Sequence, residues 1–159
     1  MKELRSILVL INLLFLSLIG SGQEKEKFMD FSYISPDQEP SRLYDIDTEY
    51  TLIYFYSPEC IDCDKIKEKL IDNKYLDKLL KEETLCLIAV LPDVDKKYWM
   101  DNLDCVPKGW INAWNENDRE IVSTYLYTVP TFFVLDRKKN IIKVPTEREL
   151  LRWIKKIGK

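Results

Sequence analysis

Apolar and polar positions alternate along this chain in blocks whose period changes, and each change marks an element. Residues 7–19 form an almost unbroken apolar run, with Asn12 and Ser17 as its polar members. Residues 28–33 alternate loosely between aromatic and polar, as an edge strand does. Pro36-Asp37-Gln38-Glu39-Pro40 is turn chemistry. Ser41 is placed to cap a short helical turn over 41–46. Residues 50–56 are apolar and aromatic, with β-branched Thr51 and Ile53, and predict a buried strand. Ser57-Pro58-Glu59 breaks it. Ile66, Leu70, Leu76 and Leu80 then fall near helical spacing, which predicts one helix over 60–81.

The run 84–91 is short, continuous and apolar, a second buried strand stopped by Pro92-Asp93. A helix is expected over 96–103, and a short strand within 106–115. Another short helix is expected over 120–125. Residues 131–135, 136–140 and 141–144 read as strand, polar turn and strand, a hairpin. Thr146 with Glu149 three residues on is a capping-box pattern, and it opens an amphipathic helix over 146–157. The early strand–helix–strand unit predicts a parallel pair with a crossover, and the late hairpin an antiparallel pair. The expected fold class is α/β, with a mixed sheet and helices on both faces.

At 159 residues the chain suggests one domain. Lys2 and Arg5, the apolar run, and Gly20-Ser21-Gly22 match the three parts of a secretory signal. The expectation is a signal peptide over 1–22, cleaved near Gly22/Gln23, and a domain over 23–159 that is periplasmic or extracellular. The run is short for a bilayer span, which takes roughly 20 residues, so membrane contact is expected only if the segment stays uncleaved. Residues 23–27 are charged and read as a flexible mature terminus. The formal net charge is −3 and no long basic stretch occurs, which argues against nucleic acid as a partner. The chain has no histidine. That excludes histidine triads, histidine metal ligands and covalent haem attachment.

Cys60 and Cys63 stand at the start of the first predicted helix. A helix N-terminus carries partial positive charge and unpaired N–H groups. A thiolate at Cys60 is stabilised there, which lowers its pKa. Cys63, three positions on, shares a face with it. It can attack a mixed disulfide formed at Cys60 and release the partner.

Strand, Cys-x-x-Cys, helix, then Thr-Val-Pro-Thr ahead of a strand hairpin resembles the thioredoxin-fold proteins. "FSYISPDQEPSRLYDIDTEYTLIYFYSPEC" looks like the N-terminal hairpin that exported bacterial thiol–disulfide oxidoreductases of the TlpA/ResA type carry. "LYTVPTFFVLDRKKNIIK" looks like their cis-proline segment. The resemblance covers residues 28–157. It implies a thioredoxin-like three-layer α/β/α sandwich with a mixed central sheet and an N-terminal β-hairpin extension. By the same resemblance Cys60 is the attacking thiol and Cys63 the resolving one. Pro130 is the cis-proline facing them, and Thr128 and Val129 beside it hold a substrate's extended chain. The implied partners are protein thiols or disulfides and a membrane or periplasmic electron donor. No cofactor and no metal are implied.

The chain departs from the pattern. Thioredoxins and many TlpA-like proteins have Trp before the first cysteine, where this chain has Glu59. Thioredoxins carry a buried acid where this chain has Tyr54. Ile61 and Asp62 stand between the cysteines. Glu59, Asp62 and Asp64 put like charge around the pair, which opposes a thiolate. A poorly stabilised thiolate makes a less oxidising disulfide. The expectation is therefore a reductant or isomerase, with Glu59 and Asp62 modulating the sulfur pKa. Two other readings stay open. One is a non-enzymatic binding module in which the pair is a staple. The other is a peroxiredoxin-type thiol peroxidase, where Ser57 fits but Ile53 stands in place of an upstream proline.

Cys86 reads as a buried small hydrophobe, and a Cys86–Cys105 disulfide stays open as an alternative. The four tryptophans, at 99, 110, 114 and 153, read as core or rim. Arg137-Lys138-Lys139 reads as a solvated hairpin tip.

Overall fold

The computed structural model describes residues 25–37, 39–116 and 119–159. The run read as a signal peptide lies outside them. The centre is a five-stranded sheet of β3 (Tyr50–Phe55), β4 (Leu85–Val90), β5 (Ile111–Ala113), β6 (Thr131–Asp136) and β7 (Ile141–Lys143), in the order β5-β4-β3-β6-β7. β4 pairs parallel with both β3 and β5, while β6 pairs antiparallel with both β3 and β7. A separate antiparallel pair, β1 (Ser32–Ile34) and β2 (Pro40–Arg42), precedes it. Two hydrogen bonds between Ile34 and Trp114 tie that hairpin to the end of the main sheet.

The strands read as continuous apolar runs because both faces of the sheet are covered. Side chains alternate along a strand. Leu52 and Tyr54 of β3 therefore join Leu87, Ala89, Phe132 and Val134 in one core. Its outer layer is α1 (Ile61–Ile71), α2 (Lys74–Lys81), α3 (Lys96–Asp101) and α5 (Glu147–Ile157). Ile53 and Phe55 join Ile88, Val90, Phe133 and Leu135 on the opposite face. There the cover is Phe28, Phe31 and Leu43 from the N-terminal segment and Ile121 from α4 (Arg119–Tyr125). The expected mixed sheet, three layers and N-terminal hairpin are all present.

Several local expectations need correction. The single helix expected over 60–81 is two helices, because Asn73 turns the chain. Its Oδ1 accepts the N–H groups of Tyr75 at 3.0 Å and Leu76 at 3.2 Å, capping α2. Apolar periodicity runs through the junction because α1 and α2 cover the same core. Asn73→Ala removes the cap and is expected to cost about 1 kcal/mol, read as a lower denaturant midpoint. Ser41 does not cap a helix. It pairs with Tyr33 in β2, and the following Leu43–Asp45 is a 3-10 turn.

The terminus at 26–27 is held, since Ile141 N–H donates to Glu26 O at 2.7 Å and Lys27 bridges to Asn140. Lys139 is not part of a solvated tip. It is 2% exposed at positive φ, and its ammonium donates to Ile46 O and to Thr51 Oγ1. Arg137 and Lys138 are exposed as expected. Cys86 and Cys105 are both free thiols, so no disulfide joins them.

Candidate redox site

β3 delivers the chain to the turn at Ser57–Glu59, and Cys60 N–H donates back to Ser57 O at 3.2 Å. Cys60 has an extended backbone and is the N-cap of α1. Its sulfur accepts the N–H of Cys63 at 3.1 Å, the place a serine or aspartate oxygen takes at other helix starts. Cys60 and Cys63 are joined in a disulfide, with Cα atoms 5.1 Å apart. Cys60 is half-buried, whereas Cys63 is 2% exposed. A large partner can therefore reach the first sulfur and not the second.

The loop before β6 faces this sulfur. The Val129–Pro130 bond is cis, and Val129 O lies 3.7 Å from Cys60 Sγ. Thr128 Oγ1 donates to that carbonyl at 3.3 Å, and Thr131 Oγ1 donates to Thr128 O at 2.6 Å. Cys60, Cys63, Thr128, Val129 and Pro130 thus come together across the ends of β3 and β6. Glu59 and Asp62 flank them at the surface.

The carboxylates are not bare. Asp62 pairs with Lys65 at 3.0 Å and Asp64 with Lys67 at 2.8 Å. Glu59 Oε1 accepts from Tyr98 Oη at 3.3 Å. Exposed pairs contribute little to stability, but they offset the negative field at the helix start. Among the described residues, no group of three or more Cys, Asp or Glu is placed to hold a metal ion.

Tyr54 occupies the position where thioredoxins carry an acid. Its ring stacks on Phe132, and its hydroxyl donates to Cys63 O at 2.9 Å. Burial pushes its pKa up, and Asp64 adds to the rise. It is a protonated donor at neutral pH and cannot act as a base. Tyr56 is pushed up in the same sense by burial, then by Cys105 and Tyr54. Burial also raises the Cys86 thiol from its ordinary 9.0 to about 11, with Lys139 opposing.

These shifts set a pH dependence. A group whose folded pKa lies above its unfolded value binds more protons when folded. Stability is then fully present below the unfolded pKa and falls as pH rises through the window. Cys86 opens that window near pH 9.0 and the two tyrosines extend it from 10.0 upward. Lys139, whose pKa burial lowers, works the other way in the same range. Alkaline unfolding is expected to begin above pH 9.0, and Tyr54→Phe should flatten the slope above 10.0. Denaturant midpoints measured at stepped pH check this.

No protein-family model matches the chain, and no curated protein matches it. Solved structures do. A conserved Bacteroides fragilis protein of unknown function is 27% identical with TM-score 0.74, over 80% of this chain and 96% of that one. A thioredoxin-like protein from Bacteroides caccae is 24% identical with TM-score 0.75, over 94% of this chain and 55% of that one. The fold is thioredoxin-like. The thioredoxin domain of a Bacteroides vulgatus thiol-disulfide oxidoreductase agrees at TM-score 0.71 and 16% identity, over 85% of this chain and 97% of that domain.

Within this thioredoxin-like frame, sequence reasoning missed three residues on the face of the sheet that carries the disulfide. Tyr98 reaches Glu59 from α3, and Cys105 packs on the apolar cluster that holds Cys60 and Cys63. Neither left a signal in the local pattern. Tyr56 did, since it stands two positions beyond Tyr54 on the face toward α1.

Proposed function

We propose that this chain is an exported thiol–disulfide oxidoreductase that acts on protein thiols and disulfides through Cys60 and Cys63. One observation carries the reading. The half-buried Cys60 sulfur sits at a helix N-cap beside the Val129 carbonyl, with its disulfide partner shielded behind it. In the reduced protein, Cys60 thiolate attacks a substrate disulfide. One substrate sulfur leaves as thiolate and a mixed disulfide forms. Cys63 loses its proton and attacks Cys60 Sγ, which closes the intramolecular bond and releases the second substrate thiol. Two electrons pass to the substrate, and an external dithiol donor restores the pair.

The direction we favour is reduction or isomerisation. Lysines offset Asp62 and Asp64, which leaves Glu59 beside Cys60 as the acid that opposes a thiolate there. The test is a redox titration of the purified protein in glutathione and dithiothreitol buffers, with Cys60 and Cys63 read by alkylation and mass spectrometry. A reversible two-electron transition supports the oxidoreductase, and a midpoint on the reducing side supports the direction. A pair still oxidised below roughly −300 mV is a structural staple and favours the binding-module reading. Export is tested by expressing the full chain and measuring the N-terminus recovered outside the cytosol, where Gln23 is expected first.

A further inference from the structure

Behind the Val129–Pro130 loop, on the sheet face opposite α1, lies an open groove of about 400 Å³. Side chains alternate along β6. Phe132 and Val134 therefore pack with Cys63, whereas Phe133 packs on the α4 side. Phe133, Tyr125, Ile141 and Val144 give the groove an apolar lining, and Thr128 and Thr131 line it next to the loop.

The groove is held in shape by separate segments. Tyr125 Oη accepts the Met29 N–H at 2.9 Å. Its ring stacks on Phe28 with centroids 4.1 Å apart and meets Phe133 edge-on at 5.3 Å. Glu26 O accepts the Ile141 N–H at 2.7 Å, and Thr131 Oγ1 donates to Thr128 O at 2.6 Å. A preformed site spends little free energy on ordering when it binds. Tyr127 and Val144 line the same groove and are 99% and 61% exposed. Apolar surface left open and contiguous in this way marks a contact site.

The groove and the reactive sulfur share one loop. Thr128 Oγ1 donates to Val129 O at 3.3 Å, and that carbonyl lies 3.7 Å from Cys60 Sγ. The hydroxyl oxygens of Thr128 and Thr131 keep lone pairs for a substrate N–H. The chain from Val129 to Phe133 spans at most roughly 13 Å, at about 3.3 Å per extended residue. A substrate strand that starts at Cys60 therefore covers the distance in about three or four residues. Glu26 is the one charged residue in the lining, so an acidic segment finds no cation there.

We infer that this groove is a specificity site, which takes a bulky apolar side chain of the substrate about three or four residues from its cysteine. This rests on the redox reading above, because bonding to Cys60 is what brings the segment to the groove. Folded proteins bury such side chains. The favoured substrates are then unfolded or misoxidised chains that expose an apolar stretch beside a cysteine.

The test uses glycine–serine peptides with a single central cysteine, joined as disulfide dimers, with one leucine placed at each position in turn. The second-order rate constant for reduction by the prereduced full chain is measured for each. Leucine about three or four residues from the cysteine, on one side, should raise the rate about tenfold over the peptide without leucine, the effect of partly burying one such side chain. Within Val144→Asp and within Tyr127→Ala, the ratio of leucine peptide to serine peptide should fall to near one. Both positions are exposed, so neither change opens the core. A flat profile in wild type, or a ratio unchanged in Val144→Asp, overturns the proposal. A second measurement titrates the oxidised wild type with the leucine peptide carrying serine in place of cysteine. The methyl resonances of Ile141 and Val144 should shift. Shifts produced by raising the protein concentration alone would assign the groove to a second copy of the chain and overturn the proposal. Reduction of glutathione disulfide with no gain from leucine removes this proposal and leaves the redox reading standing. If neither glutathione disulfide nor any peptide is reduced, the redox reading fails. The peptide-induced methyl shifts then decide the groove by themselves, and their absence removes it.

Discussion

Cys60→Ser is expected to reduce exchange with a model protein disulfide to the rate of buffer alone, while Cys63→Ser should stop the reaction halfway. The asymmetry follows from exposure. Cys60 is the sulfur a partner can reach, and Cys63 is buried behind it. Serine keeps the N-cap but is a poor nucleophile at neutral pH. With Cys63 replaced, attack at Cys60 still occurs, yet nothing inside the pair resolves the mixed disulfide. Mass spectrometry of Cys63→Ser incubated with substrate should show one substrate chain bound at Cys60. Turnover by Cys60→Ser at the wild-type rate would place the attacking sulfur elsewhere and leave the pair a staple.

Trp99→Ala is expected to cost about 3–5 kcal/mol, the usual range for deleting a fully buried large aromatic. Trp99 is fully buried, and its Nε1–H donates to Asn112 Oδ1 at 2.8 Å. Asn112 is itself buried and holds Leu103 O through its Nδ2. The substitution therefore opens a cavity and leaves a buried acceptor unpaired in one step. Trp99→Phe separates the two effects. It keeps most of the ring and should cost about 1–3 kcal/mol, chiefly for the orphaned Asn112 oxygen. Denaturant unfolding measures both. Equal losses for the two variants would mean that the hydrogen bond, and not packing, anchors α3. The anchor matters beyond stability, because α3 carries Tyr98 to Glu59.

Much of the site is legible in short stretches of the chain. The pair at 60 and 63 and the Thr-Val-Pro-Thr segment are local patterns, and each lies next to a strong apolar run that fixes the adjoining strand. The local misreadings have physical causes. The split at Asn73 is hidden because both helices share one apolar face, so periodicity continues while the backbone turns. Ser41 has the side chain of a cap, but pairing with Tyr33 claims its backbone for a strand. Lys139 sits among charged residues and looks solvated, yet turn geometry sends its ammonium to Ile46 O and Thr51 Oγ1.

Residue order alone is enough for most of the elements, the α/β class and the placement of Cys60 at a helix start. Those rest on spacing, propensity and capping, which act over a few residues. The groups that surround the sulfur come from distant parts of the chain and are visible only in the folded molecule. The Val129 carbonyl beside Cys60, Tyr98 on Glu59, and Cys105 and Tyr56 on the core face that includes Cys63 depend on how strand order and helix packing bring remote segments together. Contacts of that kind are set by burial of shared apolar faces, and burial does not depend on which polar residue rides at the edge.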